Sequence, residues 1–156
     1  RCYSRKNQER NPTYTGCSVC EEWLTFSNFK AWMETQDWEG NQLDKDLLFT
    51  GNKIYNAAAC VFVPSVVNTF VRECTASKGD WPVGVYWDGQ AQKFKAQCSN
   101  PFTSKREHLG LFTNSSEAHQ AWLTRKLELA KLLAAEQGDP RVAKALVERY
   151  ENYKLN

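Results

Sequence analysis

The sequence lacks any run of residues suited to crossing a bilayer. Its longest uncharged stretch, Ile54 to Val71, is broken by Asn, Ser, Pro and Thr, whereas a spanning helix needs about 20 mainly apolar residues. No membrane partner is expected. There is no Gly-rich phosphate loop, no Ser-centred nucleophile elbow and no pair of histidines at helical spacing, so the chemistries built on those motifs have nothing to rest on. Internal repeats and low-complexity tracts are absent. The opening, RCYSRKNQER, has neither an initiator Met nor an apolar stretch of signal-peptide type. The expectation is that an upstream segment has been lost. Only two histidines occur, His108 and His119, and neither lies in the first half.

The 156 residues make one domain, or two small ones. Aromatics at 13%, including six Trp, supply a core and argue against wholesale disorder. Net charge is only +2, so its distribution is the more informative quantity. Arg1, Arg5, Lys6 and Arg10 form a basic arm. Glu21, Glu22, Glu34, Asp37, Glu39, Asp44 and Asp46 form an acidic block, and the second half is basic again. Such alternation suits metal binding beside phosphate binding, and it equally describes solvated surface charge.

The six cysteines are too few for a disulfide-dense scaffold. Cys17 and Cys20 form a C-x-x-C, whose thiolates can converge on one tetrahedral Zn²⁺. There is no second C-x-x-C, so a four-sulfur site would add Cys2 and Cys60. The alternative is free buried thiols in a reducing compartment.

Periodicity predicts an α+β chain. Residues 11–16 read as a turn. A helix should start near a capping Ser27, carry Phe29, Trp32 and Met33 on one face, and end at 38–41. Residues 43–55 read as two short β-prone runs around Thr50-Gly51-Asn52, a hairpin or irregular loop. A strand follows at 60–64. Then comes a helix capped by Ser65, running to Cys74 with Val66, Val67, Phe70 and Val71 inward. Residues 77–82 form a breaker cluster and a predicted linker. In the second half, Asp88-Gly89 signals a hairpin. Lys93, Lys95 and Gln97 alternate with Phe94, Ala96 and Cys98, which separates a polar from an apolar face. A third strand is predicted at 106–113. Asn114 and Glu117 have the spacing of a capping box before a helix to about Gln137, which should bury Ala118, Ala121, Trp122, Leu129 and Leu133. Asp139-Pro140 starts a last helix, to about Tyr153.

Gly84, Val85, Trp87, Lys93, Phe94, Ala96, Leu109, Gly110, Phe112, Glu117, Ala118, Ala121 and Trp122 stand in order and at matching spacing. This pattern resembles the apetala/ethylene-response-factor type of DNA-binding domain over about 40 residues. The resemblance implies a three-stranded sheet laid in the major groove of double-stranded DNA, with Tyr86, Lys93, Lys95, Gln97, Arg106 and His108 as the reading face. Tyr86, Gln97 and His108 depart from the Arg, Glu or Trp common in that family.

The first half resembles the phage HNH nuclease group. The carrying residues are Arg1-Cys2, Tyr14, Gly16, Val19-Cys20, Trp23, Phe26, Phe29, Leu43 to Asp46, Gly51-Asn52, Tyr55, Cys60, Phe62-Val63 and Asn68. The resemblance implies a homing-type endonuclease with an N-terminally truncated ββα domain at 1–75, joined to the DNA-binding domain at 80–156. It implies Asp44 and Asn68 as ligands of Mg²⁺ or Mn²⁺. Asp46 is a further candidate ligand. Lys45 stands where a His would deprotonate the attacking water, and Ala59 where an Asn often orients that His. An ammonium is a poor base at neutral pH unless desolvated. The reading is therefore an intracellular phage protein, in the cytoplasm of an infected cell, that binds duplex DNA and nicks it with metal. The rival is a catalytically dead binder of a host protein or of DNA.

Overall fold

The computed structural model describes residues 2–72 and 80–153. The chain divides into two compact units, Arg1–Asn68 and Thr69–Asn156. The expected end of a helix at Cys74 and the first part of the predicted linker lie outside the described residues.

The first unit opens with a helix that the sequence pattern does not announce. α1 (Arg5–Arg10) starts where Ser4 Oγ accepts the Asn7 N–H at 3.4 Å. Its Arg5 pairs with Glu9 one turn on, at 3.5 Å, so part of the basic arm is helical. A 3₁₀ turn at Pro12–Tyr14 fills the predicted turn. β1 (Ser18–Val19) runs parallel to β3 (Ile54–Tyr55). α2 (Phe26–Met33) begins two residues earlier than expected and ends well before residue 38. The Thr35 hydroxyl donates to the Trp32 carbonyl at 2.7 Å and closes the last turn. One face of α2 builds an aromatic cluster. Trp32 lies 4.5 Å from Trp23 and 5.8 Å from Phe62, ring centre to ring centre.

β2 (Gln42–Asp44) pairs antiparallel with β4 (Val61–Val63), Leu43 opposite Phe62 and Asp44 opposite Val61. The runs within 43–55 therefore do not pair with each other. Local bonds satisfy the loop backbone instead. Asn52 Nδ2 donates to the carbonyls of Lys45 and Ile54, both at 2.7 Å. α3 (Ser65–Arg72) follows β4 directly. Val67, Phe70 and Val71 are buried as expected, but Val66 is exposed. Ser65 is not a cap. The Pro64 carbonyl starts the helix, accepting from Val67 and Asn68, and the Ser65 hydroxyl accepts from Gln42 Nε2 at 3.4 Å.

The second unit is a three-stranded antiparallel sheet packed on a long helix. The strands are β5 (Val85–Asp88), β6 (Lys93–Asn100) and β7 (Lys105–Phe112), in that order. Asp88 Oδ1 accepts the N–H groups of Gln90 and Ala91 at 3.1 and 3.0 Å and shapes the first hairpin loop. α4 (Ser115–Ala135) is capped by Asn114, whose Oδ1 accepts the Glu117 N–H at 2.9 Å. α5 (Pro140–Glu151) is capped by Asp139. Both helices stop two residues short of the expected ends. Leu129, Leu133, Val142, Leu146 and Tyr150 are buried along them. Two residues on α4 break the apolar pattern. Lys126 is fully buried, with Nζ 3.8 Å from the centre of the Phe70 ring, and it donates to the Phe70 carbonyl at 3.4 Å. Tyr150 Oη donates to the same carbonyl at 3.2 Å. A last-turn carbonyl of α3 is thus held by a cation and a hydroxyl. His119 is also buried, stacked on Trp122 at 5.2 Å, with Nδ1 2.9 Å from the Val83 carbonyl.

Gly84 sets the approach of α4 to the sheet. Its φ is +81°, and a Cβ there would lie 2.1 Å from the Trp122 indole. Gly84→Ala should combine about 1–3 kcal/mol of overpacking with about 1–2 kcal/mol of left-handed backbone cost. Gly40→Ala, also at positive φ but in open space, should show the backbone cost alone. Urea unfolding of the two variants measures the difference.

Candidate nucleic-acid interface and the Asp44 turn

Strand register decides which side chains share a face. Tyr86 lies opposite Lys95, Asp88 opposite Lys93, Gln97 opposite His108, and Ser99 opposite Arg106. Cross-strand partners point to the same side of a sheet. All six residues expected to read DNA therefore lie on the face turned away from α4. On the other face, Val85, Ala96 and Ala118 form the core, with Phe94, Leu109 and Phe112 packed against it.

The arrangement of β7 depends on a bulge. Strict alternation would put Arg106 and His108 on the same side as Phe112. The register shifts between Ala96 and Gln97: Ala96 pairs with Gly110, but Gln97 pairs with His108. Leu109 is the extra residue and packs into the core. The bulge turns Arg106 and His108 outward while Phe112 stays inside. Gly110, at φ +138°, provides the unusual backbone.

The two faces treat their polar groups differently. Toward the helix, Arg125 grips Glu107 at 2.7 and 3.1 Å and Glu128 at 2.8 Å, and Asn100 donates to Glu107 at 2.7 Å. The Arg125 bonds, then the Asn100 bond, hold the Glu107 carboxyl down at about 2. On the outer face, the side chains of Tyr86, Lys93, Lys95, Gln97, Arg106 and His108 make no hydrogen bond or ion pair among the described residues. Asp88 is the acid on this face. Its carboxyl is lowered by the Ala91 N–H first, with Lys95 and His108 contributing.

In the first unit, Asp44 ends β2, and Lys45 and Asp46 follow it in one turn. Asp44 is buried, and its Oδ1 accepts the N–H groups of Asp46 and Leu47 at 2.8 and 2.7 Å. Burial pushes its carboxyl above the ordinary value, reinforced by the charge of Asp46. Lys45 Nζ lies 3.3 Å from Asp46 Oδ2, with its side chain 13% exposed, and 6.0 Å from the Tyr55 ring centre. Asn68, on α3, donates from Nδ2 to Gln42 Oε1 at 2.7 Å. Gln42 lies two residues before Asp44 and so on the same side of β2. It is the residue of this neighbourhood that motif spacing does not reveal. Asn52, which holds the Lys45 carbonyl, was legible only through the Gly51-Asn52 resemblance.

Cys2, Cys17, Cys20 and Cys60 are free thiols. Among the described residues no three His, Cys, Asp or Glu side chains are grouped to hold a metal ion. The expected convergence of Cys2, Cys17, Cys20 and Cys60 on zinc is therefore not assembled. Burial pushes the Cys60 thiol up to about 11 and raises that of Cys2, where Cys17 adds to the effect. Cys17 donates instead to the Thr13 carbonyl at 3.4 Å.

No family model, curated protein or solved structure matches this chain. No helix among the described residues is long and apolar enough to cross a membrane.

The Asp44 turn yields a pH prediction. A carboxyl raised in the folded state contributes stability that is complete below its unfolded value, near 3.8, and is lost as pH rises through the folded value. Asp44→Asn keeps an oxygen for both N–H groups but carries no charge. Its melting temperature should exceed that of the wild type at pH 7, with the gap shrinking as pH falls through the raised folded value toward about 3.8 and constant below it. Melts across that pH range measure it.

Proposed function

We propose that the chain binds double-stranded DNA, with the outer face of the β5–β7 sheet in the major groove, as in the apetala/ethylene-response-factor domains it resembles. The observation carrying this reading is the contrast between the faces. On one, every polar side chain of the Glu107 cluster is committed. On the other, Lys93, Lys95 and Arg106 present uncommitted cations beside Gln97, His108 and Tyr86. Major-groove base edges are read by such groups, Arg on guanine and Gln on adenine, and Lys gives sequence-independent phosphate contacts.

Binding that neutralises phosphates weakens with salt, with a slope of about 0.9 per phosphate contact. Lys93→Ala combined with Lys95→Ala should weaken duplex binding several-fold or more and flatten the salt slope by about two contacts. Fluorescence anisotropy at several salt concentrations measures both. Unchanged affinity in a folded double variant removes the sheet-in-groove reading. Absence of salt-dependent duplex binding in the wild type leaves the rival, a binder of a host protein.

A second reading concerns the first unit, as an HNH-like ββα domain that nicks DNA. It is favoured by the adjoining carboxylates of Asp44 and Asp46 in the turn after β2, and by the bond tying Asn68 of α3 to that strand. Mg²⁺ is often held by one or two carboxylates and substrate phosphate oxygens, so Asp44 and Asp46, with Asn68, would hold Mg²⁺ or Mn²⁺. Such an ion supplies charge neutralisation and an easily ionised water. Lys45 sits in the same turn, where its ammonium would hold a phosphate oxygen rather than act as a base. General-base assistance contributes about 10²–10⁴-fold, so nicking without a His is slow. Supercoiled plasmid with Mn²⁺ should be nicked slowly by the wild type and faster by Lys45→His, but not by Asp44→Asn. No nicking by any of the three leaves a binder only.

A further inference from the structure

We propose that a cavity at the open end of β5 takes one unpaired nucleotide of the DNA strand that the adjoining sheet face holds; this rests on the duplex-binding reading above. β5 begins at Val85, opposite Ala96, while Cys98, Ser99 and Asn100 of β6 pair with β7 alone. Residues 81–84 leave the sheet there and enclose a space of about 240 Å³. Its walls include Trp81, Tyr86, Gln97, Ser99, Arg106 and Trp122.

Trp122 is the second, independent observation. It is 2% exposed, and its indole N–H makes no hydrogen bond among the described residues. The unpartnered side-chain polar atoms sealed from solvent among the described residues are His119 Nε2 and Arg149 Nη1. The Trp122 N–H is therefore not fully sealed from solvent, and Trp122 lines this cavity. A Cβ at position 84 would lie 2.6 Å from that nitrogen, so only a glycine fits beside the indole at the cavity wall.

The lining selects the ligand class. Arg106, Gln97, Ser99 and the Trp122 N–H supply donors, which calls for an acceptor-rich and anionic partner. Trp81 is 40% exposed and held edge-on to Phe94 at 4.7 Å, and Tyr86 is 45% exposed. Exposed aromatic surface of this kind calls for a planar partner. A nucleotide has both properties. The space is below the roughly 300–1,000 Å³ that takes a drug-sized ligand. It suits a single base, with the phosphate at the mouth by Arg106. A base stacked in a duplex cannot enter such a pocket, whereas an unpaired one enters at low cost. Stacking on aromatic rings tolerates any base.

The test uses two labelled duplexes, one fully paired and one with a single unpaired thymidine. Trp81→Ala and Ser99→Leu are made because neither is among the six side chains assigned to read the duplex; Ser99 shares their face, opposite Arg106, so Trp81→Ala carries the paired-duplex comparison. Ser99→Leu fills the cavity without removing a core ring. Wild type should bind the bulged duplex about ten-fold tighter, a step within the range of one base–aromatic stack. Each folded variant should lose that preference, and Trp81→Ala should keep its affinity for the paired duplex. Equal wild-type affinities, or a preference surviving in both variants, overturns the proposal. If neither duplex binds, the reading-face assignment fails separately. The pocket is then judged on thymidine 5′-monophosphate. Saturable quenching of tryptophan emission that Ser99→Leu abolishes upholds a nucleotide pocket, and no quenching overturns it.

Discussion

The second unit is organised by the contact between a residue with no side chain and the largest side chain of its core. The Trp122 indole occupies the space where any Cβ at position 84 would be. That closeness lets α4 lie against the start of β5, with Val85, Ala96 and Ala118 meeting beneath. It also determines which face of the sheet is covered. Once the helix takes one side, the residues opposite are left to solvent or to a partner.

The covered side is then tied polar group to polar group. Arg125 reaches from α4 to Glu107 on β7, and Asn100 on β6 adds a bond to the same carboxylate. These bonds connect strands and helix where the apolar core thins toward the sheet's end. An ion pair left half open to water is worth little by itself, but several bonds on one carboxylate fix geometry. A rigid sheet can present a row of side chains with little entropy left to lose on binding.

In the first unit the chemistry of a possible site and the needs of the fold fall on the same atoms. Asp44 closes a turn with two backbone bonds and is buried for that purpose, while burial works against its charge. A neighbouring carboxylate at Asp46 adds to the strain, and Lys45 offsets part of it. A turn carboxylate of this kind serves structure with or without an ion. The nearby Cys60 thiol is pushed up by burial as well.

Much of the second unit was legible in the sequence because its signals are local. Asp88, Asn114 and Asp139 act within a few residues of themselves, and they appear as loop-former and caps where the pattern put them. The alternation along β6 likewise announced its two faces. In the first unit, signals were weaker. Two- and three-residue strands have too few positions to show a period, so the parallel pairing of β1 with β3 and the pairing of β2 with β4 emerged only from long-range contacts. Ser65 looked like a cap, but a partner distant in sequence, Gln42, takes its hydroxyl. By itself the sequence determined the mixed α+β class, the hairpin and helix starts of the second half, and the residue types available for a polar face. Only the tertiary structure decided that Arg106 and His108 share that face with Lys95 and Gln97. A strand's alternation counts residues, whereas a bulge inserts one, and where it falls depends on which of Leu109 and Phe112 the core has room to bury.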